Sequence, residues 1–591
     1  MRICEHAPPR PAETSTPTAP DPTTHLASVD LSITTTPPLA ASDAPPTHAL
    51  TSNRSFLTSI PPDSLSLQEV HSAALPSIPA AASAAIDAVF IVALNALLSN
   101  INDDAACTLL YAATRLLLYP PPPTEQRSAL PATLQSRARQ LRLGNASALW
   151  LAHDWNTHRA VDTTIHTIHP DRLPSIINHH ISADSPARAF HRIYTIPFAP
   201  PAPSVAPLVL AKVPTAPNSD LDLTSALPIA AADLLPTISP SSPRSARIFD
   251  ATDREAVISS WSKAVKAHPS GAPDGTGLRT CYISSTEVLP LIALLLDAIR
   301  RGLISPAHRR LLTTKTTSGQ LKKLDDGTYP TTVAAIIAVR PLCRHNLIRR
   351  HLARRIARAV THHRRAFLES LGQYGNSPSG CDTAVHRMQL LAERYPHLIH
   401  HLIDIVNAHT SIARHAVLTA LDDRVHSPDA TQADVDALTY FLLFYSTAGP
   451  TLVQSVRDFL CYLQTDGLDQ GCGIAGYAFN LTFSIAVHRA LLSIQPPRPH
   501  PALPLPVLIH DDTTLPLPPT IQGSSEPFYP IAIAAITSHL LDHLRLRIAP
   551  QKSVHFQMPL PPSHTLHISH TFPHLHSPLQ YRLAVGARSA P

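Results

Sequence analysis

Two adjacent aspartates, Asp511 and Asp512, lie in PVLIHDDTTLPL between two short β-prone runs, which predicts a hairpin carrying both carboxylates at its tip. Carboxylates held that close repel each other unless a cation neutralises them, and Mg²⁺ is the hard dication such oxygens favour. Taken alone, the pair reads first as an exposed polar turn. A third acid, Asp404, follows a mostly apolar run in YPHLIHHLIDIVNAHTSIAR, and the text after it turns helical, so it falls at the end of a strand. A strand-end Asp is commonly a helix cap. The three carboxylates do chemistry only if the fold brings them together.

Two other stretches carry chemistry. In GLDQGCGIAGYAFNLTFSIAVHRALL, from Gly467, a Gly-x-x-Gln-Gly turn opens a helix of apolar period (Ile474, Ala478, Leu481, Ile485). Its glycines let backbone approach a ligand closely, and Gln470 offers both a donor and an acceptor. In VRPLCRHNLIRRHLARRIARAVTHHRR, from Val339, nine arginines stand between Arg340 and Arg365 with no acid among them. The whole chain is only +5, so everything outside this segment is net acidic. The segment predicts a helix with an apolar face of Leu347, Ile348, Leu352 and Ile356. Its basic face suits phosphates, whether of a nucleic-acid backbone or a triphosphate, or else is simply solvated.

The elements that must position these groups are bounded by the chain as a whole. Its 591 residues exceed one ordinary domain, and 44% hydrophobic residues supply a real core, which excludes wholesale disorder. There are 61 Pro, 35 His and only 17 Gly, the bias a cytosine-rich coding strand gives, so most histidines are background rather than metal ligands. Seven scattered cysteines without a C-x-x-C pair argue against a disulfide framework and against a zinc knuckle. No secretory signal is visible at the N-terminus. The run Ile78–Leu98 is nearly long enough to span a bilayer, but Pro79 and Asp87 favour a buried helix, and no membrane is expected.

Ten of the first 50 residues are proline, against four among the 110 from Leu371 to Asn480. Residues 1–75 therefore read as a disordered Pro/Thr/Ser-rich tail. Residues 76–180 read as a helical region of unreadable role (Ile86, Phe90, Ala93, Leu97, then Cys107, Leu110, Ala113, Leu117), and 181–245 as a Pro-rich linker. The motifs all lie in 246–591.

In order and spacing, those motifs resemble the reverse transcriptases of the non-LTR retrotransposon type. That family shows a strand ending in Asp before Asn-Ala-Phe-Asn, then a Gly-x-x-Gln-Gly helix, a Tyr-x-Asp-Asp hairpin and a short segment with Lys. This chain shows LIDIVNAHTSIAR, GLDQGCGIAGYAFNLTF, LIHDDTTL and LRLRIAPQKSVHF, the last offering Lys552. Upstream, HPSGAPDGTGLR, LKKLDDGTYP, AVRPLCRHNLIRR and LGQYGNSPSGCDTAVHRM are similar to the family's segments before its first catalytic strand. The resemblance runs from about Ile248 to Phe556, and the ordered series is more specific than any member. The kinetoplastid spliced-leader-associated elements are a possible closer group.

The resemblance implies an α+β right-hand polymerase, with fingers and an antiparallel palm sheet after the Pro-rich and helical regions, and a truncated thumb. It implies an RNA-directed DNA polymerase in which Asp404, Asp511 and Asp512 hold two Mg²⁺ ions, with Mn²⁺ able to substitute, and Lys552 assists the leaving pyrophosphate. Arg340, His409, Gln470 and Gly471 would contact the deoxynucleoside triphosphate, and Arg349, Arg350, Arg354, Arg355 and Arg358 the nucleic acid. The partners implied are an RNA template, a DNA primer and an endonuclease acting in trans or in a missing C-terminal part; the nucleus is the implied location. Two departures stand out: His409 replaces the aromatic that excludes a ribose 2′-hydroxyl, and Ile509 replaces the hairpin Tyr. A catalytically decayed nucleic-acid-binding remnant and an RNA-dependent RNA polymerase remain open alternatives here.

Overall fold

Among the residues described by the computed structural model (47–61, 65, 75, 77–119, 129–152, 196–213, 215–216, 251–267, 274–324, 326–446, 448–455, 458–494, 506–520, 525 and 527–556), nine strands form two sheets. In chain order they are β1 (Thr215–Ala216), β2 (Lys315–Leu321), β3 (Val339–His345), β4 (Ile399–Ile403), β5 (Gly449–Ser455), β6 (Asp458–Gln464), β7 (Val507–Ile509), β8 (Asp512–Leu517) and β9 (Val554–Phe556). The first sheet has the order β1-β6-β5-β2-β3, with β2 and β5 parallel and the other pairs antiparallel. The second, β7-β8-β4-β9, is antiparallel throughout.

The second sheet explains how acids remote in sequence can meet. Ile403 of β4 pairs with Thr513 of β8, so one step further along the register Asp404 faces Asp512. A one-residue slip would turn every side chain of β4 to the other face, and burial of His401 and Ile403 holds the register.

The Ala475–Ser493 helix is buried on most of its circumference (Tyr477, Phe479, Leu481, Phe483, Val487), as befits a helix apolar all round. The arginine-rich segment is the Leu347–Ser370 helix. Asn346 caps it, its Oδ1 accepting from Ile348 N at 2.9 Å, while Asp274 Oδ2 accepts from Leu347 N at 2.6 Å. Its apolar stripe, Leu347, Ile348, Leu352, Ile356 and Val360, faces the core.

Three readings change in the folded chain. The tail assigned to 1–75 includes short helices at His48–Thr51 and Arg54–Ser59, whose Leu50 and Leu57 enter the core; residues 1–46 lie outside the described residues. The helical region joins the main core. Its helices Ala80–Ser99 and Asp104–Leu117, parted at Asp103, which caps the second through Ala106 N, share one core with Val288–Arg300 and Leu347–Ser370. Ala80–Ser99 is long and apolar enough to cross a membrane, and it buries Ile86, Phe90, Ala93 and Leu97 in that core. The supposed linker contributes Val205–Leu210, which packs Val205 and Val209 on Leu321, Val339, Val453 and Tyr462 of the first sheet, with Ala199 N donating to Gly319 O at 2.7 Å. Proline frequency hid this short apolar helix. Most of 181–245 and everything after Phe556, where a thumb is expected, lie outside the described residues.

The buried histidines give the fold a pH signature. His308, paired with the Tyr111 hydroxyl at 2.9 Å, and His401, stacked on Tyr529 at 3.9 Å between centroids, are both pushed down to about 3, by burial first. His345, pushed down to about 4, also by burial first, adds to this. A histidine disfavoured as a cation in the folded state contributes stability that is whole above its unfolded value near 6.5 and is lost as pH falls toward the folded value. At pH 5 each of His308 and His401 should cost about 2 kcal/mol. Urea unfolding at pH 7.5 and 5.0 should show a marked fall in midpoint at the lower pH; equal midpoints would contradict the burial of these rings.

Candidate active site

The site is built on the β7–β8 hairpin and the end of β4. His510 and Asp511 make the turn, with His510 in the left-handed region at φ 57°. The LGQYGNSP segment braces it: Gln373, wholly buried, accepts from His510 N at 3.0 Å and Gly375 N at 2.8 Å, and donates to His510 O at 3.2 Å and Ser484 Oγ at 3.3 Å. All four hydrogen-bonding positions of the amide are used. Tyr374 N donates to Leu508 O, and Leu508 N to Gly372 O, both at 2.8 Å. His510 Nδ1 lies 3.2 Å from Asn480 Oδ1, which ties the turn to the Ala475–Ser493 helix.

Asp404 is pinned from the other side. Its carbonyl accepts from Ala549 N at 2.8 Å, its amide donates to Ser553 Oγ at 3.3 Å, and Lys552 Nζ meets its Oδ2 at 3.0 Å. Asp404, Asp511, Asp512 and Lys552 are thus brought together. Partial desolvation raises Asp511 and Asp512 above the ordinary carboxyl range. Repulsion from Asp404, and for Asp512 also from Asp511, adds to it. Arg340, exposed on β3, and Lys552 oppose the rise at Asp511.

This is an oxygen-only donor set whose mutual repulsion its neighbouring cations do not cancel, which is the chemistry that suits a hard dication. Among the described residues no three His, Cys, Asp or Glu side chains already close on one point as metal ligands.

The expected nucleotide contacts are scattered around this centre. His409 stacks on Phe479 at 4.3 Å and 18°, and lies 6.3 Å from the His510 ring. Burial, then the His510 charge, push it down to about 4, so at neutral pH it is an uncharged flat ring. Gln470 O accepts from Cys343 N at 2.7 Å, its side-chain Oε1 is buried without a hydrogen-bond partner, and Gly471 packs on the Cys343 carbonyl.

The arginine helix requires a correction. Arg349 is 1% exposed, donating to the Tyr440 hydroxyl at 3.0 Å and to the Leu312 and Thr313 carbonyls at 3.3 Å, so it cannot touch nucleic acid. Arg350 and Arg355 are half-buried, whereas Arg354 and Arg358 are exposed. If the exposed face grips phosphates, Arg354→Gln with Arg358→Gln should leave the melting temperature unchanged and lower the salt slope of template-primer binding by about two. Arg349→Gln should instead lose about 1–3 kcal/mol of stability, because it removes the buried donor from the Tyr440 hydroxyl and the Leu312 and Thr313 carbonyls, while Asp469 keeps Lys315 and His345. Chemical denaturation and salt-dependent binding separate the two roles.

Reading the sequence missed two cations. Lys322, just past β2, lies within electrostatic range of Asp404, Arg340, Lys552 and Lys212, and burial followed by Lys212, Lys552 and Arg340 lowers it. Lys212 comes from the supposed linker. LKKLDDGTYP was a signal for the first; proline content masked the second.

Fold and site together define a mixed helix-and-sheet chain with a carboxylate cluster between an antiparallel hairpin and the end of the neighbouring strand, with Lys552, Arg340 and Lys322 within electrostatic range of it. No family model and no curated protein matches it. Among solved structures it is similar to the Sicinivirus 3Dpol RNA dependent RNA polymerase, at 13% identity and a TM-score of 0.27, over 43% of this chain and 47% of that one. It is similar also to telomerase from Candida albicans in complex with a TWJ fragment of telomeric RNA, at 12% identity and a TM-score of 0.27, over 37% and 41%. The chain spans less than half the length of either.

Proposed function

We propose that this chain is an RNA-directed DNA polymerase of the non-LTR retrotransposon type, with the second sheet as palm, the first as fingers, and an RNA template, DNA primer and deoxynucleoside triphosphates as partners. The observation that carries the reading is the meeting of Asp404 with Asp511 and Asp512, which β4–β8 pairing brings about across more than a hundred residues of sequence.

Asp404, Asp511 and Asp512 would hold Mg²⁺, or Mn²⁺ in its place, and the metal supplies charge neutralisation for phosphoryl transfer. The protein's own groups do the positioning. Lys552, paired with Asp404, would shield pyrophosphate charge. Arg340 and Lys322 face the carboxylates with the charge a triphosphate needs. His409, uncharged and backed by Phe479, is a flat wall where the sugar edge would rest. Arg354 and Arg358 meet the template backbone. An endonuclease in trans, or beyond this chain, would complete an insertion reaction.

The test is incorporation by the purified full chain on an RNA homopolymer with a DNA primer, in Mg²⁺ or Mn²⁺, with deoxyribonucleotides and ribonucleotides compared. Metal-dependent, template-directed deoxyribonucleotide addition is expected. Ribonucleotide preference would point to an RNA polymerase, and binding without incorporation to a remnant that keeps only its nucleic-acid surface.

A further inference from the structure

Asp469 lies inside the Gly467–Gly471 turn, immediately before Gln470, and is 1% exposed. Three elements converge on its carboxylate. Lys315, the first residue of β2, donates to Oδ1; His345, the last of β3, meets Oδ2 through Nε2 at 2.9 Å; Arg349 reaches Oδ2 at 3.4 Å. Lys315 and His345 are themselves a cross-strand pair, so the carboxylate bridges the end of the β2–β3 ladder. Lys315 also donates to Gln464 Oε1 at 2.7 Å. On the other side of the turn, buried Arg414 donates to the Gly467 carbonyl at 2.9 Å.

A buried ion cluster of this kind adds little net stability over a well-packed apolar one; register is its best-attested use. Here the register matters to the site. The turn is docked on β3 through Cys343 N and Gln470 O, and the same strand carries Arg340, whose charge acts on Asp511. Gln470 and Arg340 are therefore referenced to one strand, and Asp469 locks the turn to it.

We propose that Asp469 is a positioning residue: by bridging Lys315 and His345, its carboxylate fixes the Gln470–Gly471 turn where an incoming nucleoside triphosphate is held. The claim rests on the polymerase reading above.

The full chain is to be compared with Asp469→Asn and with Asp469→Asn combined with Lys315→Met. The single variant leaves Lys315 buried without its counter-charge and should lose stability, whereas removing both charges should recover most of that loss, with buried Arg349 held by its hydrogen bonds to the Tyr440 hydroxyl and the Leu312 and Thr313 carbonyls. In the double variant the amides of residues 467–472 should exchange about tenfold faster, and KM for the triphosphate should rise about tenfold, with kcat and template-primer affinity within about threefold of the parent. A folded double variant with parental KM and parental exchange overturns the proposal and leaves the polymerase standing. A parent that incorporates nothing on any template overturns the polymerase reading and the KM claim with it, while exchange at the turn still decides whether Asp469 holds it. Should the double variant fail to fold, His345→Gln, which keeps the Lys315 pair, gives the same comparison: a KM raised about threefold supports the assignment, and an unchanged one overturns it.

Discussion

Replacing Asp511 by Asn is expected to abolish nucleotide incorporation, by at least about a thousandfold, while template-primer binding and the melting temperature stay at or above the parent's. The two halves of that expectation have different origins. The carboxylate is disfavoured in the folded chain by desolvation and by Asp404, so its protonation is easier there than in the unfolded chain. A group with a raised carboxyl pKa costs stability above its unfolded value, and the cost disappears as pH falls through the unfolded value. At neutral pH the neutral amide therefore relieves repulsion instead of creating a hole. A residue that only stabilised the fold would behave the other way, losing stability first and activity as a consequence. Asp404→Asn should also lose incorporation, but it frees Lys552 from its partner at 3.0 Å, so only Asp511→Asn carries the expectation of a gain in stability. Primer extension beside thermal melting at pH 7.5 reads both halves.

Gly467→Ala should be strongly damaging. Gly467 sits at φ +75°, and an added Cβ would fall inside the van der Waals envelope of the Thr410 carbonyl. Both effects are unavoidable: the left-handed conformation costs an L-residue about 1–2 kcal/mol, and overpacking against backbone adds about 1–3 kcal/mol. The strain has a direction, because Gly467 N donates to Ile412 O at 3.1 Å and Leu468 N to His409 O at 2.6 Å. Displacing the turn therefore displaces the Ala408–Ser411 segment that carries His409. Gly327→Ala is the control. It shares the positive φ, +82°, but a Cβ there meets nothing within 4 Å, so it should cost only about 1–2 kcal/mol and leave incorporation intact. Urea unfolding of the two variants should differ by a few kcal/mol; equal losses would mean that the packing of the Gly467 turn on Thr410 is not as described.

What could be read from the sequence was local. β-prone runs around Asp511 and Asp512 and the apolar run before Asp404 were sufficient to place each acid on its element, because strand alternation and turn chemistry act over a few residues. Their meeting was not local, since it depends on β4–β8 pairing, and only the order of motifs hinted at it. In the arginine helix the charge count was legible while the fate of each arginine was not. Yet Arg349 and Arg364 lie on the same helical spacing as Ala353, Ile356 and Val360, and that stripe is buried. Arg364 is accordingly spent on Asp434 and Asp429, a partner pair that no residue count can supply. The short helices inside the tail and linker readings escape notice for one reason: a few apolar residues embedded in proline-rich text are outweighed by the composition around them.

The measurement that bears most directly on the carboxylate centre is Mn²⁺ binding to the full chain with a non-hydrolysable triphosphate present, followed by electron paramagnetic resonance. Binding should be lost to a similar degree in Asp404→Asn and in Asp511→Asn, since both acids belong to one centre. Loss in Asp511→Asn with undiminished Mn²⁺ binding in Asp404→Asn would mean that the strand-end acid stands outside the centre, and the polymerase reading would fall with it.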